Sequence, residues 1–293
     1  MRRLFLHRSS AATVISLIAL FFAVGGTTVA ATGASAAVAA ASGWSIQTTP
    51  NPAGGSDVVL NGVSCASASA CTAVGGPAQP ATTGVTLAEG WNGTTWSIQH
   101  TPNPTGGSLI ILNGVSCTLA SACTAVGSTS TGTTTVTLAE RWNGTKWSIQ
   151  TTPNPTGSSF TVLYSVSCTS ASACTAVGAS SNGTLAERWN GTTWSIQHTP
   201  NPAGGSNTLL QGVSCTSASA CTAVGSTSTS TTTVTLAERW NGTAWSIQHT
   251  PNPTGVQGSG LGAVSCASAT ACTAAGGSFN GTAGVTLAER WSG

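Results

Sequence analysis

The chain has 293 residues, 40% of them hydrophobic and only 5% charged, against about 25% charged in an ordinary globular domain. Its formal charge of +2 rests on Arg2, Arg3 and Arg8; the remainder carries five basic and six acidic groups, which excludes the electrostatic footprint of a nucleic-acid or anionic-lipid binder. Past residue 40 no apolar run approaches the ~18–20 residues of a membrane-spanning helix, so the polar surface falls to Ser, Thr, Asn, Gln and Gly.

Residues 1–36 read as a secretory signal: a basic start, an apolar stretch over residues 11–24, then small residues with Ala-x-Ala at Ala34-Ser35-Ala36. An uncleaved anchor is the competing reading, because no charge stands between Arg8 and Asp57. Gly25 and Gly26 end the apolar run early and favour cleavage. Both readings export the bulk of the chain. Residues 37–43 are a short linker, and residues 44–293 are a repeat domain.

The repeat is plain in "WSIQ", which begins at Trp44, Trp96, Trp147, Trp194 and Trp245, in steps of 52, 51, 47 and 51 residues. Each unit runs WSIQ-x-TPNP, a Gly/Ser loop, "GVSC" or a variant, "SASAC", "TAVG", a variable Ser/Thr/Gly loop, and "LAERWNG". Pro and Gly bracket short β-rich segments without helical periodicity, and in the second unit they predict strands at residues 112–117, 123–126, 136–142 and 145–150. Asn143-Gly144 predicts a two-residue type I′ hairpin. That register sets Trp142 opposite Thr145, Glu140 opposite Trp147 and Leu138 opposite Ile149. Leu138, Glu140, Trp142, Trp147 and Ile149 then share one face.

Four strands every ~40–50 residues are the pattern of a β-propeller blade. Third strands end at Trp91, Trp142, Trp189, Trp240 and Trp291, so five third strands match five "WSIQ" strands, yet the repeats begin on a fourth strand and end on a third. The expectation is an all-β, five-bladed propeller of four-stranded blades, closed by residues 44–47 pairing with residues 286–291, so that no edge strand is orphaned. A linear solenoid would want atypical capping repeats.

Each unit holds one Cys-x5-Cys: Cys65/Cys71, Cys117/Cys123, Cys168/Cys174, Cys215/Cys221 and Cys266/Cys272. Each pair flanks a small-residue loop between two strand signals, within disulfide range of a hairpin. In an exported chain five local disulfides follow. Zinc would ask for a closer couple and a neighbouring His.

The turn "WNGTTW" resembles the Asp-box of sialidase-like propellers, Ser-x-Asp-x-Gly-x-Thr-Trp, with Gly93, Thr95 and Trp96 matching but Glu89 and Trp91 where the box has Ser and Asp. The other copies carry Lys146, Thr193 or Ala244 at the Thr95 position. The box is degenerate, so the resemblance implies a fold and not an activity. The whole unit, with "VSCxSASACTAVG" and "WNGTxWS" over residues 44–293, is similar to the repeats of secreted bacterial kelch-like or galactose-oxidase-like propellers of unknown function. The Gly-Gly doublet of kelch repeats is inconsistent here, and the copper-oxidase ligands are missing.

An enzyme needs an asymmetric constellation, whereas these units are near copies. Glu89, Glu140, Glu187, Glu238 and Glu289 recur on separate strands, and should lie farther apart than the ~5–10 Å between the carboxyl groups of a glycosidase. With Arg141, Arg188, Arg239 and Arg290 following four of them, and Gly90 in the first copy, they read as ion-pair or hydrogen-bonding groups at blade contacts. His100, His198 and His249 share their position with Thr48 and Thr151, a pattern of exposed polar sites and not of metal ligands. The expectation is no catalytic residue, no cofactor and no metal. The tryptophans read first as blade packing. Trp91, Trp142, Trp189, Trp240 and Trp291 remain the candidate ligand-stacking positions, because exposed indoles stack on sugars. The expected molecule is a secreted, extracellular, non-catalytic monomer that binds a polysaccharide or a cell-envelope protein through five similar sites. A structural spacer is the alternative, and a glycan-active enzyme the third reading.

Overall fold

The computed structural model describes residues 43–52, 57–78 and 84–293. The signal expected at residues 1–36, and all of the linker except Gly43, lie outside the described residues. Among the described residues no helix is long and apolar enough to cross a membrane. The chain divides into one unit ending at Ile46 and a second from Gln47 to Gly293; the second holds every strand described below.

That second unit is all-β. Strands β1 (Val58–Ser67), β2 (Ala70–Pro77), β3 (Leu87–Trp91) and β4 (Trp96–Gln99) form the first antiparallel sheet, in chain order. The second is β5 (Ser108–Leu119), β6 (Ala122–Thr131), β7 (Thr134–Trp142) and β8 (Trp147–Gln150). The third is β9 (Thr161–Ser170), β10 (Ala173–Ser180), β11 (Gly183–Trp189) and β12 (Trp194–Gln197). The fourth is β13 (Ser206–Ser217), β14 (Ala220–Ser228), β15 (Thr233–Trp240) and β16 (Trp245–Gln248). The last holds β17 (Gly258–Ser268), β18 (Ala271–Phe279) and β19 (Gly284–Trp291), and one parallel bridge, Thr233 to Gly258, links it to β15. Residues 44–47 carry no strand, and Trp44 and Ile46 are fully exposed. The strand order ends at β19, paired with β18, so no closed sheet forms among the described residues.

The first two strands of the second sheet run longer than the apolar pattern predicts, and β5 continues through bulges that bend it. In β5 the register shifts between Leu112 and Gly114 and again between Cys117 and Leu119. Opposite the first bulge stands the glycine of "TAVG". A Cβ on Gly127 would sit 1.9 Å from the Ile111 carbonyl oxygen, so only glycine allows that approach.

The Cys-x5-Cys pairs are all disulfides: Cys65–Cys71, Cys117–Cys123, Cys168–Cys174, Cys215–Cys221 and Cys266–Cys272, with Cα atoms 3.9–4.0 Å apart. As the hairpin reading expects, the cysteines stand opposite each other within the first hairpin, and its strands continue past them. The bridge is not a purely local staple. The second cysteine is buried where its sheet meets the preceding one: Cys123, Cys174, Cys221 and Cys272 are 2–4% exposed. Their sulfurs lie 3.5–3.6 Å from the hydroxyls of Thr72, Thr124, Thr175 and Thr222 of that preceding sheet. Cys71 has no sheet described before it and is only half-buried.

The tryptophan hairpin corrects the expected register. Trp142 pairs with Trp147 and Glu140 with Ile149 across a four-residue loop, not a two-residue turn. Asn143 closes it: its Oδ1 accepts the Thr145 and Lys146 amides at 3.0 and 2.9 Å, while Gly144 takes φ 96°. The slip is two residues, so Leu138, Glu140, Trp142, Trp147 and Ile149 still share a face.

The core lies between successive sheets. Val74 and Ala88 of the first sheet pack on Leu112, Val115, Ala125, Leu138 and Trp147 of the second. Val126 and Ala139 repeat this against the third, Val177 and Ala186 against the fourth, and Val224 and Ala237 against the last. Each sheet therefore has a forward face and a rear face. Among the described residues both terminal faces are left open. Leu60 and Val63 on β1 are 40% and 65% exposed, where Leu112 and Val115 are 0% and 8%. Ala275 and Ala288 are exposed at the other end. On the inner edge, Asn61, Asn113, Tyr164, Gln211 and Gly262 line one cleft of about 260 Å³, so all five first strands face a common space, the arrangement of a β-propeller.

Candidate functional site

Neighbouring residues of a strand point to opposite faces. In "LAERW" this sends Leu, Glu and Trp rearward and Ala and Arg forward. The Arg141 guanidinium carbon lies 4.7 Å from the centroid of Trp189 in the next sheet, and its Nη2 donates to the Ala171 carbonyl. Arg188 covers Trp240 at 4.9 Å and donates to Ala218, and Arg239 covers Trp291 at 4.6 Å and donates to Ala269. Three junctions thus share one device, a cation over an indole face with a loop carbonyl as acceptor.

The first junction lacks it, because Gly90 stands where the arginine would. A cavity of about 320 Å³ opens there, lined by Ser69, Gly90, Trp91, Gln99, Ala120 and Trp142 among others. The hydrogen bonds change with it. Trp142 Nε1 donates to the Ala120 carbonyl at 3.2 Å, and Trp91 Nε1 to that of Ala68 at 3.2 Å. Under the arginines that carbonyl is taken by the cation, and the indole nitrogens of Trp189, Trp240 and Trp291 have no hydrogen-bond partner among the described residues. Gln99 also crosses the first junction, its Oε1 accepting Trp147 Nε1 at 2.9 Å. Gln150, Gln197 and Gln248 instead fold back on Ser148, Ser195 and Ser246.

The candidate tryptophans are therefore unequal. Trp189 and Trp240 are 5% and 6% exposed beneath arginines, whereas Trp91, Trp142 and Trp291 are half-buried. Each of Trp91, Trp142, Trp189 and Trp240 packs against the first tryptophan of the following strand, with centroids 5.7–5.9 Å apart. The sequence signal of the special junction, "EGW" against "ERW" in the other four copies, is visible in the chain; its meaning needs the arginine geometry.

The glutamates sit at the junctions as expected, but not as ion pairs. Glu140, Glu187 and Glu238 are fully buried on the rear face, and neither oxygen of these carboxyl groups makes a well-formed hydrogen bond among the described residues. The adjacent arginines point the other way. Burial pushes all three up to about 8, with the hydroxyls of Thr86, Thr137 and Thr184 across the junctions opposing this weakly. Burial raises Glu89 and Glu289 in the same direction. His100, His198 and His249 are exposed.

The "TPNP" segments clamp the third strands. Thr86 Oγ1 donates to Thr101 Oγ1 at 2.8 Å, Thr101 Oγ1 to the Thr86 carbonyl at 3.0 Å, and the Thr86 amide to Asn103 Oδ1 at 3.1 Å. Thr137 with Thr152 and Asn154, Thr184 with Thr199 and Asn201, and Thr235 with Thr250 and Asn252 repeat the clamp. These four threonines, at or just before the third strands, are 4–7% exposed. Thr286, at the same place in β19, is exposed.

No family model matches the chain, and no curated protein matches it. Among solved structures it is similar to YCF48 from Cyanidioschyzon merolae, at 12% identity over 83% of this chain and 73% of that one, with a TM-score of 0.44. A GH32 β-fructofuranosidase from Bombyx mori is similar at 10% identity over 79% of this chain and 59% of that one, TM-score 0.45. The GH74 xyloglucanase from Xanthomonas campestris is similar at 11% identity over 80% of this chain, TM-score 0.41, and the chain spans 47% of that enzyme. These are β-propeller proteins, and at such identities the likeness says nothing of activity.

Proposed function

We propose that the chain is an exported, non-catalytic binding module, a monomeric five-bladed propeller that engages an extracellular polysaccharide or a cell-envelope protein through five similar faces. The observation that carries this reading is the repeated outer surface. In each complete sheet the fourth strand turns the same isoleucine to solvent: Ile98, Ile149, Ile196 and Ile247 are 43%, 41%, 39% and 40% exposed. A surface repeated in one geometry suits a repeating ligand, whose weak single contacts avidity multiplies. The five disulfides support an oxidising compartment. In the same reading residues 44–47 complete the last blade. The clamp supports this: Thr49 and Asn51 stand in the places of Thr101 and Asn103, and Thr286 in that of Thr86. A glycan array and a cell-wall pull-down test the binding role. Retention that falls when the exposed isoleucines are changed to serine is the expected result, and no retention on either overturns it.

A glycan-active enzyme is the second reading, with Glu140, Glu187 and Glu238, whose carboxyl groups burial raises, as its candidate acids. Hydrolysis abolished by one Glu→Gln change, with the other copies intact, would select it over the binding module.

A further inference from the structure

The repeats describe the ligand that would fit the gap in the first junction. At the three other described junctions, a guanidinium lies over the indole of the third strand and donates to one loop carbonyl. The first junction keeps both receiving groups, the Trp142 ring and the Ala120 carbonyl, and has no side chain at Gly90 to meet them. The space is a cavity of about 320 Å³. We propose that this cavity binds the guanidinium of an arginine side chain supplied from outside the chain by a peptide or protein partner.

The chemistry favours the exchange. The Ala120 carbonyl now accepts a neutral indole N–H at 3.2 Å, and a charged donor makes the stronger bond. Losing that bond is tolerated in this fold, because Trp189, Trp240 and Trp291 have unpartnered indole nitrogens under their arginines. Gln99 is the group in the way. Its amide end lies 2.5 Å from where a Cβ on residue 90 would be, and it is the tip of a flexible side chain that its equivalents fold back onto serine. Recognition comes from a ring face and a carbonyl, so a flat guanidinium is preferred to a round ammonium. The site lies between consecutive sheets and does not depend on ring closure or on the binding role proposed above.

The test is a titration of the intact, disulfide-bonded protein with N-acetylarginine amide, following the Trp142 indole N–H by NMR. Expected is a selective shift of that resonance as it leaves Ala120, with a Kd on the order of 1–10 mM. N-acetyllysine amide should bind several-fold more weakly, and the uncharged isostere N-acetylcitrulline amide should leave the resonance in place. Gly90→Arg should abolish the response by filling the site from within. Trp142→Phe, followed at the Trp147 indole N–H that Gln99 must release, should weaken binding several-fold if Gly90→Arg fails to fold. No Trp142 shift at saturating ligand, an undiminished response in Gly90→Arg, or an equal response to citrulline each overturns the proposal.

Discussion

The glutamate of "LAERW" is the residue whose chemistry departs furthest from its ordinary state. In the unfolded chain it titrates near 4.5, while burial holds Glu140, Glu187 and Glu238 at about 8. Between these values the folded protein keeps protons that the unfolded chain has released. Stability is therefore greatest below about pH 4.5, falls as pH rises towards 8, and is level beyond. Thermal melts should show Tm declining from pH 5 to pH 8, and a Tm that climbs over that range would refute the neutral-acid assignment. Glu140→Gln, which removes one of the three ionisations, should make the slope shallower and gain on the order of 1–2 kcal/mol at pH 8 with little change at pH 5. The position of the glutamates at the junctions was legible from their recurrence. Their lack of ion pairs was not, because chain neighbours suggest a pair that strand alternation separates.

Among the elements, the tryptophan hairpin shows how far pattern reaches. Alternation assigned Leu138, Glu140, Trp142, Trp147 and Ile149 to one face, and a slip of two residues leaves that intact. Loop length was hidden, because Asn-Gly serves both a two-residue turn and a longer loop in which Asn caps two amides. Asn143→Ala removes that cap and should cost about 1 kcal/mol, read as a lower denaturation midpoint with an unchanged slope. An unaltered midpoint would mean that Gly144 alone sets the loop. The disulfide pairing was legible, since each bridge closes its own hairpin and no pairing choice crosses between sheets. That Cys123, Cys174 and Cys221 would also sit in the seam with the preceding sheet was not, because the threonines they meet lie 46–51 residues back. The arginine lids were hidden for the same reason, their partners lying 48–52 residues ahead in another sheet.

At the scale of the molecule, the repeated four-stranded sheets follow from the chain's periodicity, and the open terminal faces are what the ring reading must explain. A cysteine pair decides it. The Thr86 and Thr101 hydroxyls are 2.8 Å apart, so Thr49→Cys with Thr286→Cys places two thiols at disulfide distance if residues 44–47 complete the last sheet. Expected is an intramolecular cross-link, seen by non-reducing mass spectrometry of the monomer. Free thiols, or cross-links only between molecules, would show that the ends do not meet.

The arginine lids also have a direction. Every one reaches towards the C-terminal neighbour, and every covered ring belongs to the sheet that follows. A duplicated unit would thus arrive with a hand to extend and a palm to be held, whichever gap it entered. Gene duplication could lengthen or shorten such a protein without inventing new joinery, and near-identical copies are the record such growth would leave.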